Sequence, residues 1–245
     1  SALTAAIAAD AIGADKVRTF MMPFEYTSDM SVEDAAKLAN NLGIKHSTIP
    51  IGQIYDSFSC SLEDEFSGKE KDITEENLQS RCRGVILMAL SNKSGELVLT
   101  TGNKSETAVG YSTLYGDTAG GFCVLKDVPK TMVYELSKYR NTISKVIPER
   151  IIERPPSAEL APDQKDSDSL PDYDILDKII ELYVEQDKSK EEIANIGVDK
   201  KIVDRVIRLI DLSEYKRRQA PLGVKITSRG FGKDRRYPIT NKFLK

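Results

Sequence analysis

The sequence predicts an α/β fold built on a parallel sheet, followed by a helical C-terminal part. Three observations predict it. Short β-favouring runs at 17–22, 45–51 and 97–99 are separated by helical stretches, and the strand–helix–strand order of the first two is a crossover that makes neighbouring strands parallel. The third run ends in a polar turn, Thr101-Gly102-Asn103-Lys104-Ser105-Glu106, that opens a short helix. From residue 173 onward the apolar residues recur at helical spacing.

Each element has a local reason. The alanine-rich stretch 1–12 is a helix by propensity, stopped by Gly13. Residues 17–22 form a β run ending at Pro23. Ser31, with Asp34 three residues on, reads as the start of a helix whose stripe is Ala35, Leu38, Ala39 and Leu42 and whose end is Gly43. Residues 54–71 are charged and read as irregular. Asp72-Ile73-Thr74-Glu75 caps a helix to about Leu90, with Val85, Ile86, Met88, Ala89 and Leu90 as its buried part. On its other turns Asn77 and Arg81 share a face, as do Gln79 and Arg83, a set of forked donors suited to a carboxylate or phosphate. Lys130 opens another helix, and residues 147–152 a short one. The Pro-, Ser- and Asp-rich segment 155–171 is long for a connection, and such loops are functional or disordered. Ile175, Leu176, Ile179, Ile180 and Tyr183, then Ile202, Val203, Val206, Ile207 and Ile210, are core stripes, and Ser189 to Glu192 is a capping box between them.

Composition narrows the function. With 245 residues the chain can bury one sizeable α/β core or two small ones. A net charge of −3 gives no basic field, which argues against nucleic acid as the main partner. No apolar run approaches the roughly 20 residues of a membrane helix. Cys60, Cys82 and Cys123 lack metal spacing and read as reduced thiols of a cytoplasmic protein. The single histidine, His46, reads as structural, which argues against histidine triads and histidine-rich zinc sites.

In open α/β sheets ligands bind outside the carboxyl ends of the strands. The 101–106 turn lies there in the predicted order and offers hydroxyls, backbone N–H groups, the Lys104 ammonium and the Glu106 carboxylate. A nucleotide phosphate needs such donors and its Mg²⁺ needs a carboxylate. Gly116, Gly120 and Gly121 read as places where backbone approaches a flat ligand, and Asp117 as an acceptor for a ribose hydroxyl.

Thr101-Gly102-Asn103-Lys104-Ser105-Glu106, followed by Gly110-Tyr111 and Gly116-Asp117, resembles the signature of NAD synthetases. Three more segments match in order: Glu76-Asn77-Leu78-Gln79-Ser80-Arg81-Cys82-Arg83, Pro155-Pro156-Ser157-Ala158-Glu159-Leu160, and Glu214-Tyr215-Lys216-Arg217-Arg218-Gln219-Ala220-Pro221. The last, together with the stretch 229–238, is similar to the glutamine-dependent branch. The resemblance covers nearly the whole chain and implies a doubly wound, Rossmann-like sheet of the ATP-pyrophosphatase type in one domain, 1–245. It places a glutaminase domain and most of a Ser-Gly-Gly-x-Asp-Ser pyrophosphate loop before Ser1, which would be that loop's last serine.

The implied activity is that of a ligase forming a C–N bond. ATP adenylates deamido-NAD, and ammonia derived from glutamine gives NAD, with Mg²⁺ required. By resemblance Ser1, Thr101, Lys130 and Ser157 face ATP, the last on a lid formed by 155–171. Asn77, Glu106 and Lys216 face deamido-NAD, joined by Asp117, and Glu106 also meets Mg²⁺. No side-chain nucleophile is required. Family members assemble as homo-oligomers through helical faces. Two other readings stay open: a related ATP-pyrophosphatase amidotransferase acting on a nucleotide base, and an inactive nucleotide-binding scaffold.

Overall fold

Alanine at positions 2, 5, 6 and 8 leaves only small side chains on one face of the first helix, α1 (Ala2–Ile12), and all four are buried in the computed structural model, which describes residues 1–240. Gly13, at φ +94°, ends α1 as its sequence requires. Then follow β1 (Arg18–Met21), α2 (Asp29–Leu42), β2 (Lys45–Thr48), α3 (Gly52–Ser61), α4 (Glu63–Phe66) and α5 (Ile73–Ser94). Next come β3 (Leu99–Thr100), α6 (Lys104–Val109), β4 (Phe122–Cys123), α7 (Lys130–Ile143) and α8 (Glu149–Glu153). The chain continues with α9 (Tyr173–Ile180), a π turn (Glu181–Glu185), α10 (Lys190–Asn195), α11 (Lys200–Leu212), α12 (Glu214–Arg217) and β5 (Leu222–Gly223).

The backbone divides into two compact units. The first comprises Ser1–Glu96, Tyr115–Asp117 and Leu136–Asp168; the second comprises Leu97–Leu114, Thr118–Glu135 and the chain from Ser169 onward. In the first unit β1 and β2 pair in parallel, from Arg18 with Lys45 to Met21 with Thr48. In the second β3, β4 and β5 form a parallel sheet in that order, Leu99 facing Phe122 and Phe122 facing Leu222. The α/β class with parallel strands flanked by helices is therefore as the sequence predicts. Strands β4 and β5 escape a reading of periodicity, because two residues carry no period.

Three local expectations are corrected. Ser28, not Ser31, caps α2: its Oγ accepts from the Ser31 N–H, and Asp34 instead pairs with Arg150. Residues 54–71 are largely helical, in α3 and α4. On α5 the buried residues are Gln79, Ser80, Cys82 and Gly84, while Val85 and Met88 are exposed. The helix buries its small and polar middle because segments 115–117 and 157–164 lie against it.

The core of the second unit follows the predicted stripes. Leu176, Ile179 and Ile180 of α9 pack with Val203, Val206, Ile207 and Ile210 of α11 and with Ile193 of α10. Each such buried side chain contributes roughly 1.5–3 kcal/mol. Ala108 and Val109 of α6 lie in the same cluster, so the short helix that follows the 101–106 turn is anchored from below.

Candidate functional site

The 101–106 turn joins β3 to α6. Asn103 is the N-cap: its side chain accepts from the Glu106 N–H at 3.0 Å, and the Glu106 carboxylate accepts from the Asn103 N–H at 3.2 Å. This reciprocal box satisfies two orphan donors of the helix end. The other Glu106 oxygen stands 3.3 Å from the Lys130 ammonium, and both side chains are only partly exposed. Lys130 lies 5.2 Å from the Tyr173 ring centre, inside cation–π range. Thr101, at the carboxyl end of β3, is exposed. One turn thus presents a hydroxyl, a carboxylate and, through Lys130, an ammonium.

Lys104 does something other than expected. It is fully buried, and its ammonium donates to Glu185 at 2.8 Å, to Thr227 Oγ1 at 2.5 Å and to the Arg229 carbonyl at 3.1 Å, with Asp127 Oδ1 at 2.9 Å. No donor is left for a phosphate. Burying an ammonium without partners is prohibitive, and paired carboxylates in a dry interior are the usual solution. Asp127 also accepts from the Ile226 and Thr227 N–H groups at 2.8 Å and from the Thr227 hydroxyl. Burial pushes the Asp127 carboxyl up, but the Thr227 N–H, Lys104 and the Ile226 N–H outweigh it and hold the group below its ordinary value.

Ser105 ties the turn to α7. Its hydroxyl donates to Asp177 and accepts from the Lys130 N–H at 2.8 Å, while the other Asp177 oxygen accepts from the Thr131 N–H and hydroxyl at 2.9 Å. Asp177 thereby caps the helix that begins with Lys130. Gly110 ends α6 at φ +69°, and a Cβ there would collide with Ser213 and press on Lys216. The Lys216 ammonium donates to the carbonyls of Gly110 and Ser112, both at 2.7 Å. Beside it Arg217 is buried, donating to Ala108 and Ile210 carbonyls and to Glu214.

In the first unit Ser1 is exposed at the start of α1, where its carbonyl receives the Ala5 N–H. Asn77 lies one turn before Ser80 on α5, and the Asp117 N–H donates to Ser80 Oγ at 3.1 Å. Gly84, one turn further, faces the backbone of Tyr115 and Gly116. Asn77 and Asp117 therefore belong to one neighbourhood of α5. Gly116 lies against Ser80, Gly120 against Val98 and Thr100, and Gly121 against Leu97, so protein fills the space a Cβ would take.

Ser157 turns into its own loop, donating to the Gln164 carbonyl and accepting from the Glu159 N–H. Gln79 and Glu76 of α5 bind the loop at Leu160 and Gln164. Glu159 accepts from Ser28, Ser31 and Arg154.

The eight residues singled out by sequence divide between the units. Ser1, Asn77, Asp117 and Ser157 are in the first, and Thr101, Glu106, Lys130 and Lys216 in the second. Glu106 and Lys130 are brought into contact. Asp127, Asp177, Glu185 and Thr227, which bind Lys104, Ser105 and Thr131, carry no sequence signal, being distant in the chain from what they bind.

Among the described residues no group of three His, Cys, Asp or Glu side chains can hold a metal. Glu106 is the carboxylate of the 101–106 turn, and a hard cation such as Mg²⁺ takes oxygen ligands of that kind. His46 hydrogen-bonds Thr19 across β1 and β2, a structural position. Burial pushes the thiols of Cys82 and Cys123 up, so neither is a ready nucleophile. No helix among the described residues is long and apolar enough to cross a membrane.

Comparison with known proteins gives a consistent result. The family model for NAD synthase matches residues 1–220. Glutamine-dependent NAD(+) synthetase of Acinetobacter baylyi is 61% identical over 98% of this chain and 45% of its own length. The chain thus spans less than half the length of that curated relative. A solved glutamine-dependent NAD+ synthetase from Acinetobacter baumannii, in complex with adenosine diphosphate, is 54% identical with a TM-score of 0.63, over 97% of this chain and 43% of that one. NMN synthetase from Francisella tularensis superposes with a TM-score of 0.74 at 26% identity, over 88% of this chain and 81% of that one. With its signature turn, its parallel strands and a family match reaching from the first residue to Ala220, this chain belongs to the NAD synthase family.

Proposed function

We propose that this chain is the synthetase domain of a glutamine-dependent NAD synthetase, a ligase that makes the amide of NAD from deamido-NAD. The nicotinate carboxylate attacks the α-phosphorus of ATP, and the bond to pyrophosphate breaks. Ammonia then attacks the acyl carbon, the bond to AMP breaks, and the nitrogen loses a proton. The first step is needed because a free carboxylate has no good leaving group. Ammonia would come from glutamine hydrolysed in a separate domain.

The observation that carries this reading is 61% identity, over nearly all of the chain, with a protein of that name. Geometry adds support at the 101–106 turn. Glu106 and Lys130 hold each other at 3.3 Å in a partly open position. An arriving triphosphate with its cation exchanges partners with such a pair, the phosphate taking Lys130 and the cation Glu106. Mg²⁺, when bound, supplies charge neutralisation on the phosphates. The residues themselves bind and orient. The ATP roles that the resemblance gives to Thr101, Ser1 and Ser157, and the deamido-NAD roles that it gives to Asn77, Asp117 and Lys216, are part of this proposal. The lid role of 155–171, a homo-oligomeric state and a cytoplasmic location belong to the same proposal.

The test uses the full-length protein with ATP, Mg²⁺, deamido-NAD and either glutamine or ammonium. AMP, pyrophosphate and NAD should appear in equal amounts, and carboxylate oxygen labelled with ¹⁸O should be recovered in AMP. Turnover of XMP in place of deamido-NAD would point to another amidotransferase. Absence of AMP from every substrate would leave only a scaffold.

A further inference from the structure

The family match ends at Ala220, yet the chain beyond it is bonded into the signature turn. We propose that residues 222–232 form a clamp on the ATP-facing turn, and that Thr227 and Asp127 are positioning residues for the Glu106–Lys130 pair. The proposal rests on the reading that this pair meets ATP.

Thr227 gives its N–H and hydroxyl to Asp127 and its oxygen to the Lys104 ammonium. Lys104 is the first residue of α6, between the N-cap Asn103 and Glu106, and its own N–H donates to the Val128 carbonyl at 2.9 Å. Asp127 and Val128 lie just before Pro129 and Lys130. One buried cluster therefore fixes both chain segments whose side chains form the 3.3 Å pair. Thr227 acts on Glu106 and Lys130 through Lys104 and the 127–128 peptide.

The clamp has its own anchors. The Ser228 hydroxyl donates to Glu185 at 3.0 Å, the second carboxylate on Lys104. Arg229 pairs with Asp187. Phe231 is buried in the core of the second unit with the Arg217 guanidinium 4.8 Å from its ring centre. β5, at the start of the clamp, pairs with β4. A segment serving only as a tail would not place a hydroxyl, two N–H groups and a carbonyl on a single buried lysine–carboxylate pair.

The experiment compares Thr227→Val, Thr227→Ser and the parent in the full-length protein. It measures amide hydrogen exchange across the chain, thermal unfolding, and KM and kcat for ATP. Thr227→Val should speed exchange at 101–109 and 128–131 while leaving 1–96 as in the parent. It should also raise KM for ATP, or lower kcat, by about tenfold or more, and Thr227→Ser should restore both. Unchanged exchange in those two stretches overturns the proposal, as does equal loosening of the whole chain. Should Thr227→Val not fold, Asp127→Asn is read in the same way; failure of both to fold assigns the cluster a purely structural role and overturns positioning. If exchange responds as stated but the parent makes no NAD from deamido-NAD, the clamp stands and the proposed function falls.

Discussion

Two helix starts in this chain carry the same local device and differ in everything around it. At α5 the Asp72 side chain accepts from the Thr74 and Glu75 N–H groups, and Glu75 accepts from the Asp72 N–H at 2.8 Å, with Asp72 exposed and Glu75 half-buried. At α6 Asn103 and Glu106 exchange the same pair of bonds. Between the capping residues of the first box stand Ile73 and Thr74, both exposed; between those of the second stand Lys104 and Ser105, both fully buried. Glu75 ends its work at the cap, whereas Glu106 keeps an oxygen for Lys130. The box is a backbone solution available to any helix. It becomes a site where its interior residues are taken up by distant partners and its carboxylate stays partly open.

The largest expected effect breaks the second box from inside. Lys104→Met leaves the charges of Asp127 and Glu185 facing each other in the interior and should cost about 3–5 kcal/mol in urea unfolding. Ile73→Met, in the equivalent exposed place, should stay within about 0.5 kcal/mol. Equal effects at the two positions would remove the distinction between the boxes.

A sharper comparison keeps both caps and changes only charge. Gln serves as well as Glu in a capping box, so neither Glu106→Gln nor Glu75→Gln should move the thermal midpoint much. NAD formation should fall about 10²-fold for Glu106→Gln and stay at the parent level for Glu75→Gln. A Glu106→Gln protein of parental activity would reduce Glu106 to a cap.

The smallest effect is in pH. The Asp127 carboxyl is held below its ordinary value of 3.8, so its native partners stabilise the fold fully above that value. That contribution is lost as pH falls from 3.8 through the lower folded value. Glu159, drawn up by burial but held lower by Arg154, Ser28 and Ser31, behaves likewise below 4.5. At the other end, burial and then the Asp211 charge push the Tyr183 hydroxyl up to about 12. Its share of stability is complete below pH 10 and lost as pH rises from 10 to about 12. Denaturant titrations across pH should find the acid limb flattened in Asp127→Asn and the alkaline limb flattened in Tyr183→Phe.

Much of the fold was legible in the sequence because its causes are local. Gly13 and Gly43 stop helices, Asp72 and Ser189 start them, and the α9 and α11 stripes are periodic. Where the reading went astray, a longer-range interaction had won. Met88 and Val85 are apolar and helical in spacing, yet exposed, because α5 gives its Ser80 and Gly84 face to segment 115–117. Gly116, Gly120 and Gly121 lack a side chain because Ser80, Val98 with Thr100, and Leu97 occupy the space it would take, packing that no spacing announces. Lys104 looked like a phosphate donor because it sits in the signature turn; its four acceptors come from residues 127, 185, 227 and 229, which no spacing announces.

By itself the sequence determined the family, the parallel α/β class and the order of chemistry-bearing turns, since motif identity, caps and periodicity are properties of neighbouring residues. Only the tertiary structure decided which members of the signature turn are available. Its lysine is consumed by buried carboxylates, its serine by Asp177, and its glutamate is left partly open beside Lys130. The physical reason is desolvation: a charge taken out of water must find partners, and those partners are chosen by the folded chain.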